Sequence, residues 1–204
     1  MNVKLRPLME KDAPFMLEWM TDPEIIRFFR FDASKVTLDS CKAYIESASM
    51  QPDAIHFAIV DEDDEYLGTI SLKEIDHADQ CAEYAISTRK KAHGTGAAMQ
   101  ATKLILQYAF DTLGLERVYL NVLVDNGRAN AFYRKAGFQF AREEPEALEI
   151  SGEMKTLNWY EITKEEYPKA LRETVADMTS DDSKEKSFRV SNTGNHPLVS
   201  CIVT

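Results

Sequence analysis

The segment His93-Gly94-Thr95-Gly96-Ala97-Ala98 places small residues directly before an apolar run with helical spacing: Met99, Ala101, Leu104, Ile105, Tyr108 and Ala109. A helix that starts here has first-turn N–H groups without intrahelical partners and a partial positive charge. Gly94, Gly96 and Ala98 put almost no side chain between those donors and an incoming anion, so a diphosphate could lie against the main chain. A Gly-x-Gly turn alone also reads as a tight connection, and it needs support from other residues. Glu83, among Ala82, Tyr84, Ala85 and Ile86, is a carboxylate in a small and apolar setting. It could accept a proton directly or through a water, or simply be a charge on a strand surface. Cys41, Cys81 and Cys201 are far apart and form neither C-x-x-C nor a His/Cys ligand cluster, so no metal is expected. No Cys or Ser sits in an evident Cys/His or Ser/His context, and no covalent enzyme intermediate is expected.

These residues must be held by regular elements. Val3 to Leu5 reads as a short strand stopped by Pro7. Asp12 then reads as the cap of a helix carrying Phe15, Met16, Trp19 and Met20 on one face. Asp22-Pro23-Glu24 opens a second helix, and Thr37 to Ser47 is a third. His56–Val60, Tyr66–Leu72 and Cys81–Thr88 are β-rich, and the first two are separated by the acidic turn 61–65, so an antiparallel meander is expected. The helix from Gly96 to Thr112 stops at Gly114. Val118–Val124 follows as a strand, Arg128–Lys135 as a short helix ended by Gly137, and Phe138–Ala141 as a strand. Strand, long helix, strand makes a right-handed crossover with parallel strands. Met154–Ile162 is the last strand, and Thr163-Lys164-Glu165-Glu166 is a capping box for a final helix. The expected architecture is α/β, a mixed twisted sheet with helices on both faces. One domain is expected over residues 1–178, with 179–204 a flexible tail.

The run Asp125-Asn126-Gly127-Arg128-Ala129-Asn130-Ala131-Phe132-Tyr133-Arg134-Lys135-Ala136-Gly137-Phe138 changes the weight of the glycine loop. With Gly96 and Ala98 before it, the chain resembles the GNAT superfamily of N-acetyltransferases. Gly96, Ala98, Asn126, Ala129, Tyr133, Lys135, Gly137 and Phe138 match that family's two motifs, and His93 departs where the family has Gln or Arg. The resemblance extends over Val3 to Tyr167. It implies acetyl-CoA as co-substrate and an antiparallel N-terminal half with a splayed central parallel pair. The cofactor site it implies comprises Ile86, Ser87, Thr88, His93, Gly94, Thr95, Gly96, Ala97, Ala98, Asn126, Ala129, Tyr133 and Lys135. The resemblance also makes Tyr133 the general acid. A phenol near pKa ~10 is close enough to a thiol near ~8.5 to protonate a departing thiolate. Glu83 becomes the candidate base, because an ammonium must lose its proton before it can attack.

The N-terminal part, with Leu5-Arg6-Pro7-Leu8 and Trp19-Met20-Thr21-Asp22-Pro23-Glu24, resembles the branch of ribosomal-protein, spermidine and amino-sugar acetyltransferases. A small-molecule amine, polyamine or amino sugar, is the first expectation and a protein α-amine the second. A non-catalytic acyl-CoA sensor and another nucleotide-binding α/β domain are the readings from other classes. Trp19, Phe28, Phe29, Trp159 and Tyr160 are possible walls of the amine site, and Glu24, Asp61 and Glu65 possible attractors. Arg89, Lys90 and Lys91 stay open between a 3′-phosphate contact and a solvated turn.

The bulk properties agree. A net charge of −10 over 204 residues is opposite to what phosphate backbones select, so no nucleic-acid partner is expected. With 44% hydrophobic residues but no apolar run of bilayer length and no signal-peptide pattern at Met1–Lys11, a cytoplasmic location is expected, with no membrane partner. A homodimer is what the resemblance suggests.

Overall fold

In the computed structural model, residues 2–29, 31–150 and 152–167 are described. Among them a seven-stranded sheet runs in the order β1-β2-β3-β4-β5-β7-β6. The strands are β1 (Lys4–Pro7), β2 (Ile55–Val60), β3 (Tyr66–Asp76), β4 (Cys81–Thr88), β5 (Arg117–Leu123), β6 (Gln139–Ile150) and β7 (Glu153–Thr163). All neighbours are antiparallel except β4 and β5, the two strands joined by the long-helix crossover. The helices are α1 (Ala13–Met20), α2 (Pro23–Ile26), α3 (Leu38–Ala48), α4 (Ala97–Gln107) and α5 (Gly127–Lys135).

Side chains alternate across the sheet, so each strand contributes to two cores. On one face Leu72, Tyr84, Ile86, Val118, Leu120 and Tyr160 pack with α4 and α5 residues such as Ala97, Ala101, Ile105, Ala129 and Tyr133. On the other, Ala58, Val60 and Tyr66 pack with Met16, Trp19, Ile25, Phe29, Cys41 and Ile45 of the N-terminal helical region. Local signals start most helices. Asp22 accepts from Glu24 N, and Thr37 and Ser40 close a reciprocal capping box. The acidic turn is a solvated hairpin loop in which Asp61 Oδ1 accepts from Asp63 N and Glu65 N.

Three readings need correction. Asp12 does not cap α1 through its side chain; its buried carboxylate accepts two bonds from Arg6 and one from Met9 N. A charged partner outcompetes a backbone N–H for a carboxylate. Phe15 lies on the exposed side of α1, stacked on by the Arg89 guanidinium. The strand after α5 is 12 residues rather than four. It is a solvent-facing edge, so its Glu-rich stretch lacks apolar alternation, and one of its two register shifts, between Glu144 and Leu148, contains Pro145. The long helix ends at Thr112 as expected, and its last turn, Tyr108–Thr112, is a π-turn before Gly114.

The capping box Thr163/Glu166 is formed in both directions. The helix expected after it, and the tail 179–204, lie outside the described residues.

Candidate active site

Strands β4 and β5 are paired over three positions only, Cys81↔Arg117, Ala82↔Val118 and Glu83↔Tyr119. Beyond them β4 stays laddered to β3 as far as Thr88, and β5 to β7 as far as Leu123. The facing edges, Tyr84–Thr88 and Leu120–Leu123, therefore diverge into a V whose apex is at Glu83 and Tyr84. Main-chain groups on such an edge can pair with an extended chain of amides as an added strand does. Ile86, Ser87 and Thr88, the predicted partners of such a chain, lie on this edge and are buried. At Gly68 a Cβ would come within 2.3 Å of the Ser87 carbonyl oxygen, so glycine there allows β3 to close on β4 at the open end of the V.

The loop after β4 leads into the N-terminus of α4. Gly96, at φ +84°, is its N-cap and offers no side-chain acceptor. A Cβ at Gly94 or Gly96 would meet no atom within 4 Å, so there is open space where donors converge. Ala97 N reaches Thr95 Oγ1 only at 3.3 Å. Ala97 is buried beneath the turn and Ala98 half-buried. The combination of a side-chain-free cradle and a V-shaped gap fits a diphosphate attached to an extended amide arm, the chemistry of CoA. His93 Nδ1 lies 3.2 Å from Arg128 Nη1 of α5, and burial followed by the Arg128 charge pushes its pKa down. A neutral His93 that accepts at Nδ1 carries its hydrogen on Nε2, so it is a donor rather than a cation.

Tyr133, 0% exposed, sits beneath the apex. Its ring meets Tyr84 edge-on at 6.0 Å and Tyr160 at 6.1 Å. Tyr84 is the first β4 residue past the paired segment, and Tyr160 is the β7 partner of Leu120, the first such residue on β5. Glu83, one residue before Tyr84, projects from the opposite face. The two candidate proton carriers thus flank one gap from either side of the sheet. Glu83 is buried, and burial raises its pKa against the opposing pull of Lys73, whose Nζ is 3.2 Å from Oε1. Beside Glu83 on this face stand Tyr119, whose hydroxyl donates to Glu74 Oε2 at 3.1 Å, and then Trp159, whose Nε1 donates to Glu144. A cavity of about 190 Å³ adjoins them, lined in part by Tyr119, Trp159, Arg117, Arg142 and Glu161.

The motif residues of α5 divide by position. Asn126 is the N-cap, its Oδ1 accepting from Ala129 N, and Ala129 is buried against the sheet. Lys135 is exposed in the last turn, where its charge complements the helix dipole. Asn130 is the residue that sequence reasoning missed. Its Nδ2 donates to the carbonyls of Leu123 and Asn126, and its Oδ1 accepts from Asn158 Nδ2 and Tyr160 OH. This buried hub ties α5 to the diverging end of β5 and to β7, and so sets where Tyr133 lies. Its spacing, four after Asn126 and three before Tyr133, puts it on the same helix face and was the available signal.

Several other expectations change. Arg89 is only 8% exposed; it pairs with Glu18 and Glu65, donates to the Tyr66 carbonyl and covers Phe15. Lys91 pairs with Glu65, and Lys90 with Asp22 and Glu24. Arg89 and Lys90 therefore bind the loop to the N-terminal helices, Arg89 and Lys91 bind it to the β2–β3 turn, and Glu24 and Glu65 carry cations of the chain itself. Trp19 and Phe29 are core, Tyr160 is buried, and Phe28 is half-buried. A serine does meet a histidine: Ser71 Oγ is 2.7 Å from His56 Nδ1, because the β2/β3 register sets them opposite. Ser71 is separated from the gap by Ala85 of β4.

His56 also provides a stability test. Burial, then the Lys73 charge, lowers its pKa from 6.5 to about 4. A depressed folded pKa means stability that is full above 6.5 and lost as pH falls toward 4. The expected loss over that window is on the order of 2–3 kcal/mol. Thermal melts of the wild type and His56→Gln at stepped pH check it; equal slopes would refute it.

Among the described residues no group of three or more His, Cys, Asp or Glu is placed to hold a metal, and no helix is long and apolar enough to cross a membrane. Comparison with known proteins agrees with the geometry. The Acetyltransferase (GNAT) domain family model matches residues 2–139. The chain is 30% identical over 157 residues to spermidine N(1)-acetyltransferase of Escherichia coli (strain K12), covering 74% of this chain and 81% of that one. It is 29% identical over 100 residues to a Bacillus subtilis (strain 168) protein with the provisional name ribosomal N-acetyltransferase, covering 49% and 55%. The crystal structure of spermidine N-acetyltransferase from Vibrio cholerae in complex with CoA and spermine superposes with a TM-score of 0.74 at 23% identity, covering 81% of this chain and 97% of that one. With the splayed pair, the side-chain-free cradle and the family model in agreement, the chain belongs to the GNAT family of acetyltransferases.

Proposed function

We propose that the protein acetylates a primary amine of a polyamine, with acetyl-CoA as donor and residues of the β4/β5 gap as its machinery. The observation that carries the reading is the parting of β4 and β5 directly after Glu83 and Tyr119, which leaves Glu83 and Tyr133 on opposite sides of one opening. The choice of polyamine is supported by spermidine acetyltransferases among the relatives and by the exposed carboxylate of Glu74 near Glu83 on the face that an acceptor would approach. A carboxylate beside the rings of Tyr119 and Trp159 suits a flexible chain with several cationic nitrogens better than an amino sugar with one.

When bound, acetyl-CoA supplies an acetyl thioester, with its diphosphate at Gly94–Ala98 and its amide arm along Ile86–Thr88. Glu83 takes a proton from the acceptor ammonium and frees the lone pair that attacks. Tyr133 donates to the sulfur as the C–S bond breaks, which keeps a thiolate from departing as a bare anion. Charge therefore moves in from one face of the sheet and is neutralised from the other. Residues 1–178 form the catalytic domain in this reading.

The test is CoA release with spermidine, spermine, an amino sugar and an N-terminal peptide as acceptors. Polyamines are expected to give the highest kcat/KM. Glu83→Gln is expected to lower kcat by about 10²-fold with acetyl-CoA affinity unchanged. Turnover of the peptide alone would replace polyamine with a protein amine, and tight CoA binding with no turnover of any amine would make the protein a sensor.

A further inference from the structure

Lys73 and Glu83 face each other across the β3/β4 ladder, with Lys73 Nζ 3.2 Å from Glu83 Oε1. Their side chains are only 15% and 9% exposed. The ladder becomes irregular just beyond Lys73, and Glu83 is also the last residue of β4 paired to β5. The ion pair is therefore held from both sides at the apex of the gap. From β3 the neighbouring charges are Lys73 and Glu74. From β5 there is Tyr119, hydrogen-bonded to Glu74, and beyond it Arg117, which stacks on Tyr119 and pairs with Glu161 of β7. Cys81 precedes Glu83 on the same face of β4, and His56 of β2 is neutral near pH 7.

We infer that Lys73 is a positioning residue: its ammonium, set opposite Glu83 by the β3/β4 register, keeps that carboxylate ionised and thus able to take the acceptor's proton. The inference rests on the reading of Glu83 as the base. A carboxyl group removed from water, with a second carboxylate at Glu74 nearby, favours its neutral form, and a neutral acid has no site for the incoming proton. Lys73 counters both effects. It also acts on the acceptor, because a fixed cation beside an ammonium disfavours that ammonium and promotes release of its proton. The balance closes without a further reagent. The proton passes from the acceptor nitrogen to Glu83, the freed lone pair forms the N–C bond, and the C–S electron pair leaves on sulfur with the Tyr133 proton. Glu83 then gives its proton to solvent and Tyr133 regains one. Lys73 takes no part in these transfers.

The test is the titration of Glu83 in protein without cofactor, followed by the ¹³C shift of its carboxyl and assigned by the loss of that signal in Glu83→Gln. In Lys73→Met the midpoint is expected to rise by about one pH unit or more, while Lys73→Arg leaves it within roughly a few tenths. An unmoved midpoint in Lys73→Met overturns the inference. The second readout is the pH dependence of kcat with spermidine. The acidic limb should move upward with the carboxyl, and the rate should approach that of the wild type at alkaline pH, whereas structural damage would depress it at every pH. A shifted carboxyl with an unshifted limb also overturns the inference. If Glu83→Gln keeps the wild-type acidic limb, the base assignment itself fails, a result distinct from the other two because the Lys73→Met midpoint still moves. Should Lys73→Met not fold, Lys73→Gln carries the same expectations.

Discussion

Tyr133→Phe lowers kcat by about 10²–10⁴-fold while the Kd for acetyl-CoA changes little, the expected signature of a proton donor used after binding. The substitution removes one oxygen and keeps the ring, so the contacts with Tyr84, Phe132, Phe138 and Tyr160 persist. Loss of a buried hydroxyl costs roughly 0.5–1.5 kcal/mol of stability, too little to unfold the chain. A large fall in kcat with an almost unchanged melting temperature therefore reports chemistry. Steady-state CoA release and calorimetry of acetyl-CoA on the same preparation measure both quantities. An undiminished kcat would leave Tyr133 as one more ring in an aromatic cluster.

Gly96→Asp separates the anion cradle from the helix that carries it. Aspartate and asparagine tolerate left-handed backbone more readily than most residues, so Gly96→Asp and Gly96→Asn carry a similar, modest strain at φ +84° and their comparison isolates the charge. The aspartate carboxylate competes for the N–H groups of the proposed cradle and places a negative charge where a diphosphate is proposed to bind. Two unit charges about 4 Å apart repel by between ~1 and ~4 kcal/mol from bulk water to an effective dielectric of 20. Acetyl-CoA affinity is thus expected to fall by about 10²-fold, with the melting temperature lowered to a similar extent in Gly96→Asp and Gly96→Asn. Gly96→Asn, a neutral cap, should lose much less. Calorimetry with CoA distinguishes them, and equal affinity in Gly96→Asp and wild type would place the phosphates elsewhere.

What could be read without coordinates was local or carried by a motif. The capping residues Asp22 and Thr37, the acidic turn after β2, the stop at Gly114 and the small residues opening α4 each act within a few positions of themselves. Asp12 shows where this reasoning stops. It has a cap residue's type and place, yet its carboxylate belongs to Arg6, brought there by β1. Arg89 is similar: three consecutive bases beside a phosphate loop suggest anion binding, but Arg89 lies 71 residues from its partner Glu18, and the fold makes it a clasp. The sequence predicts a strand of four residues where the edge strand β6 has 12, because hydrophobic alternation marks a strand only where one of its faces is buried.

From the sequence alone the family could be had, and with it the proposal of a cradle at Gly94–Ala98 and of Tyr133 and Glu83 as proton carriers, since motif spacing, helix termini and alternation are properties of short stretches of chain. Tertiary structure decided the rest: that β4 and β5 part after three pairs, that Tyr133 and Glu83 flank the same opening, that Asn130 anchors α5, and that Lys73 faces Glu83. Strand register and long-range ion pairing arise from the packing of the whole sheet. A residue's charge and hydrogen-bond partners in this site are therefore set by strands that are distant in sequence.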